Sequence, residues 1–151
     1  MLLRVVEHDA PPVVEVSHQT LTLSVRPGSD TAKRAQVLSL WYRNQVREAV
    51  DELLPRWEPR IGVEVNKFFV QRMKTKWGSC NSTRQTIRLN TELAKKPRPC
   101  LEYTVVHELV HIHEPTHNRR FHDLMDLHMP TWRDVRDELN RRPLGHEEWV
   151  C

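Results

Sequence analysis

Apolar positions along this chain recur at two spacings, and each predicts its own kind of element. Over residues 13–25 they alternate, with Val14, Val16, Leu21, Leu23 and Val25 marking a short hairpin. Residues 1–12 lack such a pattern and read as loosely ordered, closed by Pro11-Pro12. Pro27-Gly28-Ser29 is a turn, after which Asp30 or Thr31 can cap a helix. Val37, Leu40, Trp41, Val46, Val50, Leu53 and Leu54 carry that helix at helical spacing to about residue 54, where Pro55 and Pro59 are expected to end it. Residues 63–70 read as a strand, and residues 86–90 as a return strand with Ile87 and Leu89 on one side. A short helical turn is expected over residues 91–95, closed by Pro97 and Pro99. A helix then begins near Cys100, another lies within residues 119–127, and a last one follows Pro130 with Trp132, Val135 and Leu139 on its apolar face. No internal repeat or low-complexity segment interrupts this order.

Length and composition narrow the class. A chain of 151 residues reads as one domain over residues 1–151, with residues 143–151 as a C-terminal tail. Hydrophobic content of 38% with 28% charged residues fits a soluble globular protein. No apolar run approaches the ~18–20 residues of a membrane span. No basic stretch leading into an apolar run marks a secretory signal. Cys80, Cys100 and Cys151 are odd in number and scattered, which argues against a disulfide framework and for a reducing, cytoplasmic compartment. The net charge of +3 is unevenly spread: residues 56–98 hold eleven Lys and Arg against three Asp and Glu. That block reads either as a solvated face or as a surface for a nucleotide or nucleic acid.

The chemistry lies in the run from His107 to His117. His107-Glu108-Leu109-Val110-His111 is an H-E-x-x-H motif, followed by His117. Residues four apart on a helix are separated by ~400° of rotation, so His107 and His111 point the same way and can hold one metal ion. Glu108 stands ~100° round from His107, beside the ion, where a general base belongs. On a continuous helix His117 would face elsewhere, since six residues make ~600° of rotation. Pro115 removes that continuity, because it lacks the N–H that would bond back to His111. Three neutral imidazoles then leave a fourth tetrahedral position for water, the pattern of a catalytic zinc site. A carboxylate from Asp123, Asp126 or Glu138 competes with His117 for the third ligand position. His113 faces away, while His122 and His128 lie further off, as packing residues or oxyanion stabilisers. Zn2+ at such a site lowers the pKa of its water toward ~7, and Glu108 would take the water's proton and pass it to a leaving amine.

Several segments together resemble a known family. They are the stretch from Arg72 through Lys74-Thr75-Lys76-Trp77-Gly78-Ser79-Cys80, Ile87-Arg88-Leu89-Asn90, residues 102–111, His117-Asn118-Arg119-Arg120-Phe121, and Met129-Pro130-Thr131-Trp132-Arg133. In this order they are similar to the YgjP-like zinc metallopeptidases, relatives of the SprT-like and WLM metalloproteases. The resemblance implies a compact zincin-like α+β fold, a small twisted sheet beside the metal-binding helix. It implies His107, His111 and His117 as metal ligands, Glu108 as the catalytic residue, and residues 77–80 near the cleft. Trp77 by itself reads as core. His122 departs from the family, which often has an aromatic residue there, and the region before the first motif is short. The leading expectation is a zinc metallopeptidase acting on protein or peptide. A nucleotide pyrophosphatase acting on UTP-type substrates is the enzyme alternative, since such activity has been attributed within the family. A non-catalytic zinc-stabilised DNA- or protein-binding module is the other, although it would have no need of Glu108.

Overall fold

The computed structural model describes residues 2–17, 20–28 and 30–141. They form two compact units, Met1–Asn44 and Gln45–Cys151, within the span expected as one domain. The expected tail over residues 143–151 lies outside the described residues.

In the first unit, alternation in the sequence becomes a strand with one buried face. Strand β3 (Thr20–Val25) buries Leu21, Leu23 and Val25 and leaves Thr20, Thr22 and Ser24 half-buried. It is the centre of a three-stranded sheet. Strand β2 (Val13–Ser17) pairs with it antiparallel, placing Val14 opposite Leu23 and Val16 opposite Leu21, as the hairpin pattern predicts. Strand β1 (Leu2–Glu7) pairs with its other edge in parallel. Residues 2–7 are therefore an ordered strand rather than a loose segment. Their run of neighbouring apolar residues has no clean alternation, yet β3 offers an unpaired edge whose backbone groups need partners.

Helix α1 (Thr31–Ile61) starts where Asp30 predicts: the Asp30 carboxylate accepts the Lys33 N–H at 2.7 Å. It does not end at Pro55 but runs through both prolines. Asp51, Pro55 and Pro59 form one exposed stripe, so the carbonyls deprived of a partner by the prolines face water. The opposite face buries Leu53, Leu54, Trp57 and Ile61, and that packing outweighs the local cost of proline. The helix stops at Gly62, whose φ of +78° allows the Gly62 and Val63 N–H groups to bond back to the Glu58 carbonyl. The next residues do not form the strand expected from residue 63. The Val65 N–H goes to the Glu58 carboxylate and the Asn66 N–H to the Gln85 carbonyl.

The second sheet comprises β4 (Lys67–Gln71), β5 (Gly78–Asn81) and β6 (Thr86–Asn90), with β6 central, parallel to β4 and antiparallel to β5. Val70, Ile87 and Leu89 are buried on its inner face. On its other face the Phe69 ring sits between Lys67 and Arg88. Asn90, fully buried, donates to the carbonyls of Met73 and Lys76 and caps the 3₁₀ turn Thr91–Lys95 through the Glu92 N–H. Helix α2 (Arg98–His113) follows and packs on β5, β6, α3 (Arg119–His128) and α4 (Trp132–Asn140). Tyr103, Val105, Val106, Leu109, Val110, Phe121, Met125, Trp132 and Leu139 fill the space between them at 1% exposure or less. The result is α+β, as expected. Among the described residues no helix is long and apolar enough to cross a membrane.

Candidate metal centre

Helix α2 is apolar nearly all round, and this carries its polar residues inside. His107 and Glu108 are each 1% exposed and His111 is 9% exposed. Burial disfavours the imidazolium form, so the His107 pKa is pushed down to about 3 and that of His111 is lowered too. Neutral imidazole is the form that offers a lone pair to a metal.

The end of α2 brings in the third histidine. The chain leaves the helix at Glu114, whose backbone is extended (φ −136°, ψ 97°), and Pro115 prevents its resumption. Two side-chain contacts shape the turn. Asn118 donates to a Glu114 carboxylate oxygen at 2.6 Å, and its own amide oxygen caps α3 by accepting the Phe121 N–H at 2.9 Å. His117 swings back so that its Nε2 lies 2.8 Å from Nε2 of His111. One ligand atom from each of His107, His111 and His117 lies within 4.8 Å of the others. His117 alone of the three is exposed. Partial desolvation of its ring by the surrounding protein, then the neighbouring His107, His111 and His122, hold its pKa down to about 4.

The donor set fits a small divalent cation. Bonds of ~2.0–2.1 Å in a tetrahedron require nitrogen separations of ~3.3–3.4 Å, within the spread of this cluster. The Glu114 carbonyl can only accept, so His111 Nδ1–H donates to it at 3.0 Å and leaves Nε2 with its lone pair. No carboxylate or thiol among the described residues joins the three imidazoles. Asp126 instead accepts from Trp132 Nε1 at 2.8 Å and from Arg133 at 2.6 Å, while Asp123 and Glu138 are exposed. His113 faces away and donates through Nε2 to the Ile61 carbonyl at 2.7 Å. His122 stacks on Trp132, and His128 lies on the last turn of α3 outside the cluster.

Glu108 stands beside this group, with Oε2 3.0 Å from His107 Nδ1. Burial raises its pKa to about 8, opposed by the nearby His111 and Lys76. Strand β5 lies flush against it. A Cβ on Gly78 would sit 2.9 Å from Glu108 Oε2, 3.0 Å from Thr104 Cγ2 and 3.1 Å from the Arg88 carbonyl oxygen, so this position requires glycine. Cys80, on the same strand, has its thiol pKa pushed up to about 12 by burial and then by Glu108, which keeps it protonated. Trp77 is core, 2% exposed. Sequence reasoning assigned no role to the Glu114 carbonyl, Asn118 or the Phe121 ring. For the second of these a signal was available and unused: Asn is a favoured N-cap residue, and Asn118 stands just ahead of the helix expected within residues 119–127.

Comparison with known proteins adds the following. Residues 1–142 match the family model described as YgjP-like, metallopeptidase domain. No curated protein matches the chain. Among solved structures, the metallopeptidase zymogen of Pyrococcus abyssi abylysin superposes with a TM-score of 0.56 at 18% identity, covering 62% of this chain and 93% of that one. The metallopeptidase zymogen of Methanocaldococcus jannaschii jannalysin gives 0.47 at 22% identity, covering 60% and 88%. The first likeness is one of fold, and it agrees with the zincin-like α+β architecture expected from the sequence.

Proposed function

The chain belongs to the YgjP-like metallopeptidase family, and on that premise we propose that it is a zinc-dependent peptidase of protein or peptide substrates with Glu108 as its general base. His107, His111 and His117 are the residues that would hold the ion. Bound zinc would supply a water acidified toward a pKa of ~7 and a polarised scissile carbonyl. The chain's own part is proton handling and orientation. Glu108, as a carboxylate, accepts the water's proton and delivers it to the departing amine. Its burial strengthens its hold on that proton, and Lys76 and His111 keep the carboxylate form within reach near neutral pH. The Glu114 carbonyl fixes the ring of His111, and Gly78 lets strand β5 approach the carboxylate. The observation that carries this reading is the convergence of two imidazoles and one buried carboxylate from a single apolar helix with a third imidazole, His117, returned by the turn that follows it.

The test is Glu108→Gln in zinc-loaded protein, assayed on an unfolded protein and, in parallel, on UTP. Wild type should cleave the protein, and the variant should keep its zinc while losing turnover by roughly 10²–10⁴-fold. Unchanged cleavage by a variant with full zinc content would overturn the role of Glu108. Hydrolysis of UTP alone would overturn the peptidase assignment.

A further inference from the structure

Phe121 is fully buried, and its ring meets all three imidazoles of the cluster. Its centroid is 4.5 Å from that of His111, at an interplanar angle of 30°. It is 5.0 Å from His107 and 4.9 Å from His117, in edge-type contacts at 72° and 61°. The Phe121 N–H is held by the Asn118 amide oxygen, and Asn118 also holds Glu114, whose carbonyl orients His111. One small network thus sets both the ring and the histidines it touches.

An ordinary core position on α3 needs only apolar volume, which an aliphatic side chain supplies. A phenyl ring adds a quadrupole with a negative face. An imidazole bound to a divalent cation carries part of the ion's charge, and an aromatic face such as the one stacked on His111 attracts that charge more than it attracts a neutral imidazole. Packing from one rigid ring also restricts the orientations of three side chains at once.

We propose that Phe121 is a positioning residue for the metal, fixing the three imidazoles and favouring their metal-bound form over their metal-free form. This rests on the reading of His107, His111 and His117 as ligands. The test compares wild type with Phe121→Leu, with pentafluorophenylalanine placed at position 121, and with Met125→Leu as a buried control one turn along the same helix. Zinc affinity is read by competition with a chromophoric chelator, site geometry by the absorption spectrum of cobalt-loaded protein, and folding by melting of the metal-free protein.

Phe121→Leu should bind zinc about 10-fold more weakly or worse and alter the cobalt bands, as removal of outer-shell support does elsewhere. Pentafluorophenylalanine keeps the shape but reverses the sign of the ring face, so it should weaken binding by about 2–5-fold with metal-free melting nearly unchanged. Met125→Leu should shift melting without changing affinity. If Phe121→Leu does not fold, the fluorinated ring decides. Wild-type affinity and cobalt spectrum in the Phe121 variants would overturn the inference while leaving the ligand assignment intact. A wild-type protein that takes up no stoichiometric metal would overturn both.

Discussion

At the scale of single residues, His107 and Glu108 are adjacent, equally buried and pushed in opposite directions. His107 is held neutral down to about 3 from a usual 6.5. The stability it contributes is present above its unfolded value and lost as pH falls toward the folded one. Glu108 is raised from 4.5 to about 8. Its contribution is present below the lower value and lost as pH rises through the higher. Metal-free wild type should therefore melt at a lower temperature at about pH 9 than at about pH 5 through this group, and Glu108→Gln should narrow that gap. Equal gaps in the two proteins, measured by calorimetry, would refute the assignment. Much of this site was legible in the sequence because helical spacing is local: four residues suffice to place His111 over His107. The approach of Gly78 to Glu108 was not, because it depends on how a strand docks on a helix distant in sequence.

At the scale of elements, α1 and β1 departed from expectation for one shared reason. A proline or an irregular apolar run is judged locally, but its outcome is decided by partners elsewhere. Leu53, Leu54, Trp57 and Ile61 are buried, and they carry α1 past Pro55 and Pro59. Each proline still leaves a carbonyl without its helical donor. Pro55→Ala restores one bond on an exposed face and should stabilise the protein by about 1–2 kcal/mol, the helix gain less the entropy that proline removes from the unfolded chain. Urea unfolding measures this, and a destabilised variant would mean that the chain at Pro55 is constrained by something other than helix geometry. Helices α2 to α4 were legible in the sequence because local signals bound them, such as Pro115 after His113 and Pro130 ahead of Trp132.

At the scale of the molecule, the proposed ligand set joins α2 to the turn that opens α3, so metal binding would be coupled to folding in the second unit. Zinc at a thousandfold excess over its Kd should add about 4 kcal/mol of stability, and a chelator should remove it. His117→Ala should abolish most of the zinc-dependent rise in melting temperature while changing the metal-free value little, since His117 is exposed. A rise equal to that of wild type would show that another group supplies the third ligand. The division into two units was not legible, because α1 crosses from one to the other without any break in its helical pattern.

That exposure has a kinetic meaning as well. His107 and His111 are buried and His117 is exposed, so an ion held by the three would be open to challenge from the side of His117. On the proposed ligand set a chelator would reach the ion first at His117, and release would begin there, a latch opening before the seat formed by the buried His107 and His111 empties. The lifetime of a bound ion would then depend on the short turn between Pro115 and Asn118, and the depth of its seat on α2.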